Sequence, residues 1–145
     1  MQNILLFSDV EDIKMHIAVL QQMAKADGII KDAEQNFISN VISIYSSHIG
    51  IEETTQITEK TDELSSEAIY CWENSLKFRP VQAKNLLKDL ITLGYLDMDF
   101  SNPEKDFVRD IALQAGITQD TVEKIAFSVR QIMEATVALN SLIFN

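Results

Sequence analysis

The chain has 145 residues, 46% of them hydrophobic and 23% charged, which suits one folded domain with a continuous core and excludes a disordered or membrane-embedded chain. Twenty-two acidic residues against 12 basic ones give a formal charge of −10, which repels a phosphate backbone and argues against nucleic acid as a partner. The single cysteine, Cys71, allows no internal disulfide; "MQNILLF" carries no basic leader, and no apolar run approaches the roughly 20 residues a bilayer requires, so a reducing cytoplasm without membrane insertion is the expected setting.

Four Gly and two Pro are the main breakers, and apolar residues recur at three and four positions, so the expected class is all-α with about seven helices in a single domain spanning 1–145. The first helix should open at "SDVE", with Ser8 and Glu11 as a capping box, run through Ile13, Ile17, Leu20 and Ala24, and stop at Asp27 and Gly28. A second should start near Asp32 and present Phe37, Ile38, Val41, Ile44 and Tyr45 before fading at His48 to Gly50. "IEETTQITEKTDE", from Ile51 to Glu63, is too polar for a core helix and suits a short peripheral one.

Ser65 or Ser66 should cap a fourth helix with Ala68, Ile69, Trp72 and Leu76 on its stripe, placing Trp72 as a core anchor and Cys71 as a small core residue. Pro80 fits the first turn of a fifth, which carries Ala83, Leu86, Leu87, Leu90 and Ile91 and loosens at Gly94. In "SNPE", Ser101 or Asn102 caps a sixth, Pro103 sits in its first turn and Glu104 reaches back to free amides; Phe107, Val108, Ile111 and Ala112 form its buried face. Thr118 then caps a long last helix whose inward residues should be Val122, Ile125, Ala126, Val129, Ile132, Met133 and Val137.

Shifting the chain against itself by 70 positions superimposes Leu20 on Leu90, Asp27 on Asp97, Glu34 on Glu104, Phe37 on Phe107, Ile38 on Val108 and Val41 on Ile111. Shared apolar spacing is common among helices. A repeated Asp at a helix end, followed seven residues later by a Glu in the next first turn, is not required by packing. Two three-helix units result, at about 8–60 and about 79–139.

The run Ala26, Asp27, Gly28, then Glu34, then an amphipathic helix ending at Gly50 and Ile51, resembles the TerB-like domain of tellurite-resistance proteins, over nearly the whole chain. The resemblance implies an all-helical fold of two such repeats and a role in stress response; related domains occur in membrane-anchored DnaJ-like co-chaperones and in many bacterial proteins. It also makes the acids at the helix breaks candidates for a divalent cation: Asp27 and Glu34 in the first copy, Asp97 and Glu104 in the second, with Asp99 as an additional acid. The second copy has Leu96 and Met98 where the motif has Ala and Gly.

Such hard oxygen donors would favour Ca²⁺ or Mg²⁺ over zinc. "DMDFSNPEKDFV" begins like a calcium loop with Asp97, Asp99 and Ser101, but Asn102 stands at the sixth position and Val108 at the twelfth, so it is not an EF-hand. Each acid equally has a structural reading, Asp27 as a helix stop and Glu34 and Glu104 as first-turn carboxylates facing unpaired amides. His16 and His48 have no companion ligands and suit structural or solvated roles, and the chain holds no phosphate loop, nucleophile elbow or zinc signature, so no enzymatic activity is expected. Two non-enzymatic functions follow: a TerB-like domain holding a divalent cation in its acidic loops, or a metal-free protein-protein interaction module of the co-chaperone accessory kind.

Overall fold

The computed structural model describes residues 9–26, 28, 30–48, 64–96 and 100–144. Six α-helices occur among them: α1 (Val10–Ala24), α2 (Asp32–His48), α3 (Ser66–Ser75), α4 (Pro80–Leu96), α5 (Asn102–Ala115) and α6 (Gln119–Phe144), with a 3₁₀ turn, Leu76–Phe78, between α3 and α4. The short polar helix expected over 51–63 lies outside the described residues. Among the described residues there is no strand, and no helix is long and apolar enough to cross a membrane.

Helix starts follow local chemistry. The Asp9 carboxylate caps α1 by accepting the Asp12 N–H at 3.0 Å, and Glu11 accepts from Lys14 at 2.8 Å; Ser8, expected as the cap, lies outside the described residues. Ser65 caps α3 through the Ala68 N–H, and Thr118 caps α6 through the Thr121 N–H at 3.3 Å. Ser101 and Glu104 form a complete capping box on α5. Helix α1 ends at Ala24, earlier than Asp27, and Gly28 takes a φ of 101° in the connection that follows.

Helix α4 is the centre of the bundle and packs on α1, α2, α5 and α6. Its Ala83, Leu86, Leu87, Leu90, Ile91 and Leu93 are all buried, a stripe broad enough to serve neighbours on several sides. Gly94 does not loosen the helix, which continues to Leu96. A Cβ at Gly94 would lie 2.8 Å from the Phe100 ring, so the glycine is what lets that ring seat against α4. Tyr95 then meets Phe100 edge-on at 5.1 Å.

Four apolar positions expected inside are exposed. Ile44 lies about 100° round α2 from the buried stripe of Ile38, Val41, Ile42 and Tyr45, so it faces solvent. Cys71 is exposed because it sits opposite Ile69 and Trp72, which are the residues of α3 that face the core. On α6, Ile132 and Val137 are exposed, and Val122 and Val129 are its buried residues. A 26-residue helix is about 39 Å long and a 17-residue one about 26 Å, so α6 outruns the α4 surface it packs on.

Candidate functional site

The predicted acids divide into two groups. Glu34 and Glu104 are both 1% exposed, and each accepts a backbone N–H from three residues upstream at 3.1 Å: Lys31 for Glu34, Ser101 for Glu104. The Glu104 oxygen also accepts the Ser101 hydroxyl at 2.8 Å. The 70-residue shift therefore superimposes two carboxylates with one local geometry, and pairs the buried Leu20, Ile38 and Val41 with the buried Leu90, Val108 and Ile111. Asp27, Asp97 and Asp99 lie outside the described residues. Among the described residues, no group of three or more His, Cys, Asp or Glu is placed to hold a metal.

Sequence reasoning missed two buried polar networks. In the first, the Asp89 carboxylate of α4 accepts the Tyr45 hydroxyl at 2.6 Å and meets His16 Nε2 at 2.8 Å, while Asn85 donates to the Tyr45 oxygen at 3.0 Å. Burial pushes the Asp89 carboxyl up, but the hydrogen bond and charge of His16, the charge of Lys88 and the Tyr45 hydroxyl outweigh it and hold it below the usual carboxylate range. Asp89 is thus an acceptor only at neutral pH, which fixes His16 Nε2 as a donor. Burial, then the charge and hydrogen bond of Asp89, raise the Tyr45 phenol well above its ordinary range, so it stays a donor. The network joins α1, α2 and α4.

In the second network, Asp12 on α1 accepts both the Trp72 indole N–H and an Arg79 N–H at 2.9 Å, and Arg79 lies over the Trp72 ring at 5.7 Å. Arg79 also donates to Ser75 at 2.8 Å. This ties α1 to α3 and to the start of α4. Nearby, burial raises the Glu73 carboxyl above its ordinary value. The acids at the centre of both networks, Asp89 and Asp12, are buried, while Arg79 is partly exposed.

The surface feature with binding character is elsewhere. Between α4 and α6 runs an open groove of about 460 Å³, with Ile125, Val129 and Ile132 on its α6 wall and Lys84, Lys88 and Lys124 among its lining. Lys88 approaches Asp89 at 3.4 Å and Lys124 approaches Asp120 at 3.0 Å. Beyond Met133, α6 projects with Val137, Leu139, Leu142, Ile143 and Phe144 all exposed, Leu142 and Phe144 at 82% and 81%. The signal for this was in the sequence: the apolar spacing that identifies α6 does not stop at Val137 but continues to Ile143.

One family model, described as "Tellurite resistance protein TerB", matches residues 14–126, well over half of the chain. No curated protein and no solved structure matches.

Proposed function

Because the chain belongs to the TerB family, we propose that it works without catalysis, as a helical domain that binds a polypeptide through α6 and the groove beside α4. The observation that carries this reading is the run of exposed apolar side chains on the projecting half of α6. Contiguous apolar surface of that kind is costly in water and marks contact sites more often than scattered exposure does. The tellurite-resistance description of the family gives the setting we propose, a cytoplasmic stress response.

A photoreactive residue in place of Leu142 tests the reading in cells. Polypeptide adducts should form several-fold more at position 142 than at the exposed Asp110 of α5. Equal yields at the two positions, or none, would sink the proposal.

A second reading is favoured by the matched geometry of Glu34 and Glu104: a divalent cation held at the interhelix turns by these two carboxylates with Asp27, Asp97 and Asp99. The donor set is chemically suited to Ca²⁺ or Mg²⁺, although one oxygen of each glutamate already accepts a backbone N–H. A cation that binds the native state should stabilise it by about 2.7 kcal/mol at a hundred times its dissociation constant. Titrating metal-free protein with Ca²⁺ and Mg²⁺ while following Tm should then show a saturable rise that Asp27→Asn with Glu34→Gln reduces. No rise at millimolar ion, or a rise the double variant keeps, rejects the cation.

A further inference from the structure

We propose that the occupant of this surface is a second copy of the chain, the two α6 helices lying antiparallel so that the projecting half of each fills the α4–α6 groove of the other. This rests on the reading of α6 as a polypeptide-binding surface, and names the polypeptide.

The first argument is geometric. Ile125, Val129, Ile132, Thr136, Leu139 and Ile143 lie on one stripe of α6, separated alternately by four and three residues. That spacing is the same in either direction about Glu134, which itself faces the opposite side of the helix. A second copy running antiparallel therefore brings its Ile143 over Ile125, its Leu139 over Val129 and its Thr136 over Ile132. The first three residues of the stripe line the groove, and Leu139 and Ile143 are on the projecting half. One two-fold contact, in which each copy offers both surfaces, covers both unpartnered features at once.

The second argument is electrostatic. Each copy carries a formal charge of −10, so two copies repel and can meet only where charge is sparse or reversed. Over residues 131–144 of α6 the one charged side chain is Glu134, and the groove that would receive this segment is lined by Lys84, Lys88 and Lys124. An unrelated acidic peptide would match those lysines but leave the projecting half of α6 bare. The projecting helix is about 21 Å long and about 10 Å wide, so two reciprocal seatings bury about 420 Å² per partner, the area of a weak, reversible contact and not of a permanent one.

Salt separates the two occupants. A contact that is apolar between like-charged bodies strengthens as salt screens their repulsion, whereas an acidic peptide held by lysines weakens. Sedimentation equilibrium of the chain from about 1 to 500 µM should show a reversible monomer–dimer equilibrium starting from the 16.4 kDa monomer, tighter in 500 mM than in 50 mM NaCl. Leu139→Glu with Ile143→Glu should abolish the dimer while leaving the helical circular dichroism unchanged, since both side chains are exposed in the single copy. Leu113→Glu, at a still more exposed leucine of α5, should leave the dimer intact.

A monomer at all concentrations overturns the inference, as does a dimer that survives the α6 variant or weakens with salt. So does co-sedimentation of a monomeric chain with phosphatidylcholine vesicles that the α6 variant abolishes. If a monomeric chain still gives adducts with other proteins at position 142, the second copy is wrong and the polypeptide-binding reading stands. If those adducts are absent as well, both fall.

Discussion

Asp89→Ala should lower the free energy of unfolding by about 3–5 kcal/mol, the loss that follows when one partner of a buried ionic or charge-assisted pair is removed and the others remain. Asp89 is buried, and its carboxylate is the shared acceptor of Tyr45 and His16. Truncating it leaves a buried phenol and a fully buried imidazole without the acceptor that both now use. Tyr45→Phe removes one donor and keeps the acceptor, so its cost should be about 1–2 kcal/mol. Urea unfolding of the three proteins at pH 7 checks the ranking, and an Asp89→Ala loss no larger than that of Tyr45→Phe would show that the acid does not hold the network.

The same groups set a pH window. The native pKa of Asp89 lies below its unfolded value of about 3.9, so its stabilising contribution is complete above that range and is lost as pH falls through the native pKa. Tyr45 is shifted the other way. Its contribution is complete below the unfolded phenol value of about 10 and is lost as pH rises beyond it. Asp89→Asn should therefore flatten mainly the acid limb of the stability profile, and Tyr45→Phe mainly the alkaline limb.

What the sequence disclosed followed rules that act within a few residues. Ser101 and Glu104 form the capping box their spacing predicts, Pro80 opens α4, and Trp72 is buried at the periodic position of α3. Family membership was legible for a related reason, because Asp27, Gly28 and Glu34 sit close together in the chain. The polar networks were not. Asp89 stands 73 residues from His16 and 44 from Tyr45, and no local rule distinguishes it from a solvated acid on the edge of a leucine stripe.

The misjudged face of α6 has a different cause. Apolar periodicity identifies which side of a helix is to be covered, but the length of the neighbouring helix decides how far the covering extends. Here α4 lies antiparallel to α6, with Tyr95 near Val122 and Lys84 near Ile132, and begins at Pro80, while the stripe on α6 runs on to Ile143, so the core stops short of Ile132 and Val137. For the candidate site, the glutamates were placed correctly in first turns, and their helix-capping hydrogen bonds are now explicit. The groove lysines could not be foreseen, since Lys84, Lys88 and Lys124 converge only when α4 and α6 pack.

Trp72→Ala should produce the other large loss, about 3–5 kcal/mol for deleting a buried aromatic side chain. Its size combines two effects that substitutions can separate. The ring fills space between α1, α3 and the Arg79 guanidinium, while its N–H occupies an oxygen of Asp12. Trp72→Phe keeps most of the apolar contact and removes the N–H, so it should cost about 1–2 kcal/mol, a range set by one hydrogen bond to a charged acceptor plus a small void. Asp12→Ala removes the acceptor from both Trp72 and Arg79 and should cost more than Trp72→Phe. In a double-mutant cycle the two changes should be less than additive by about 1 kcal/mol, because the second finds the shared bond already broken. Strict additivity would mean that Trp72 anchors α3 through its volume alone, and that Asp12 serves Arg79 rather than the indole.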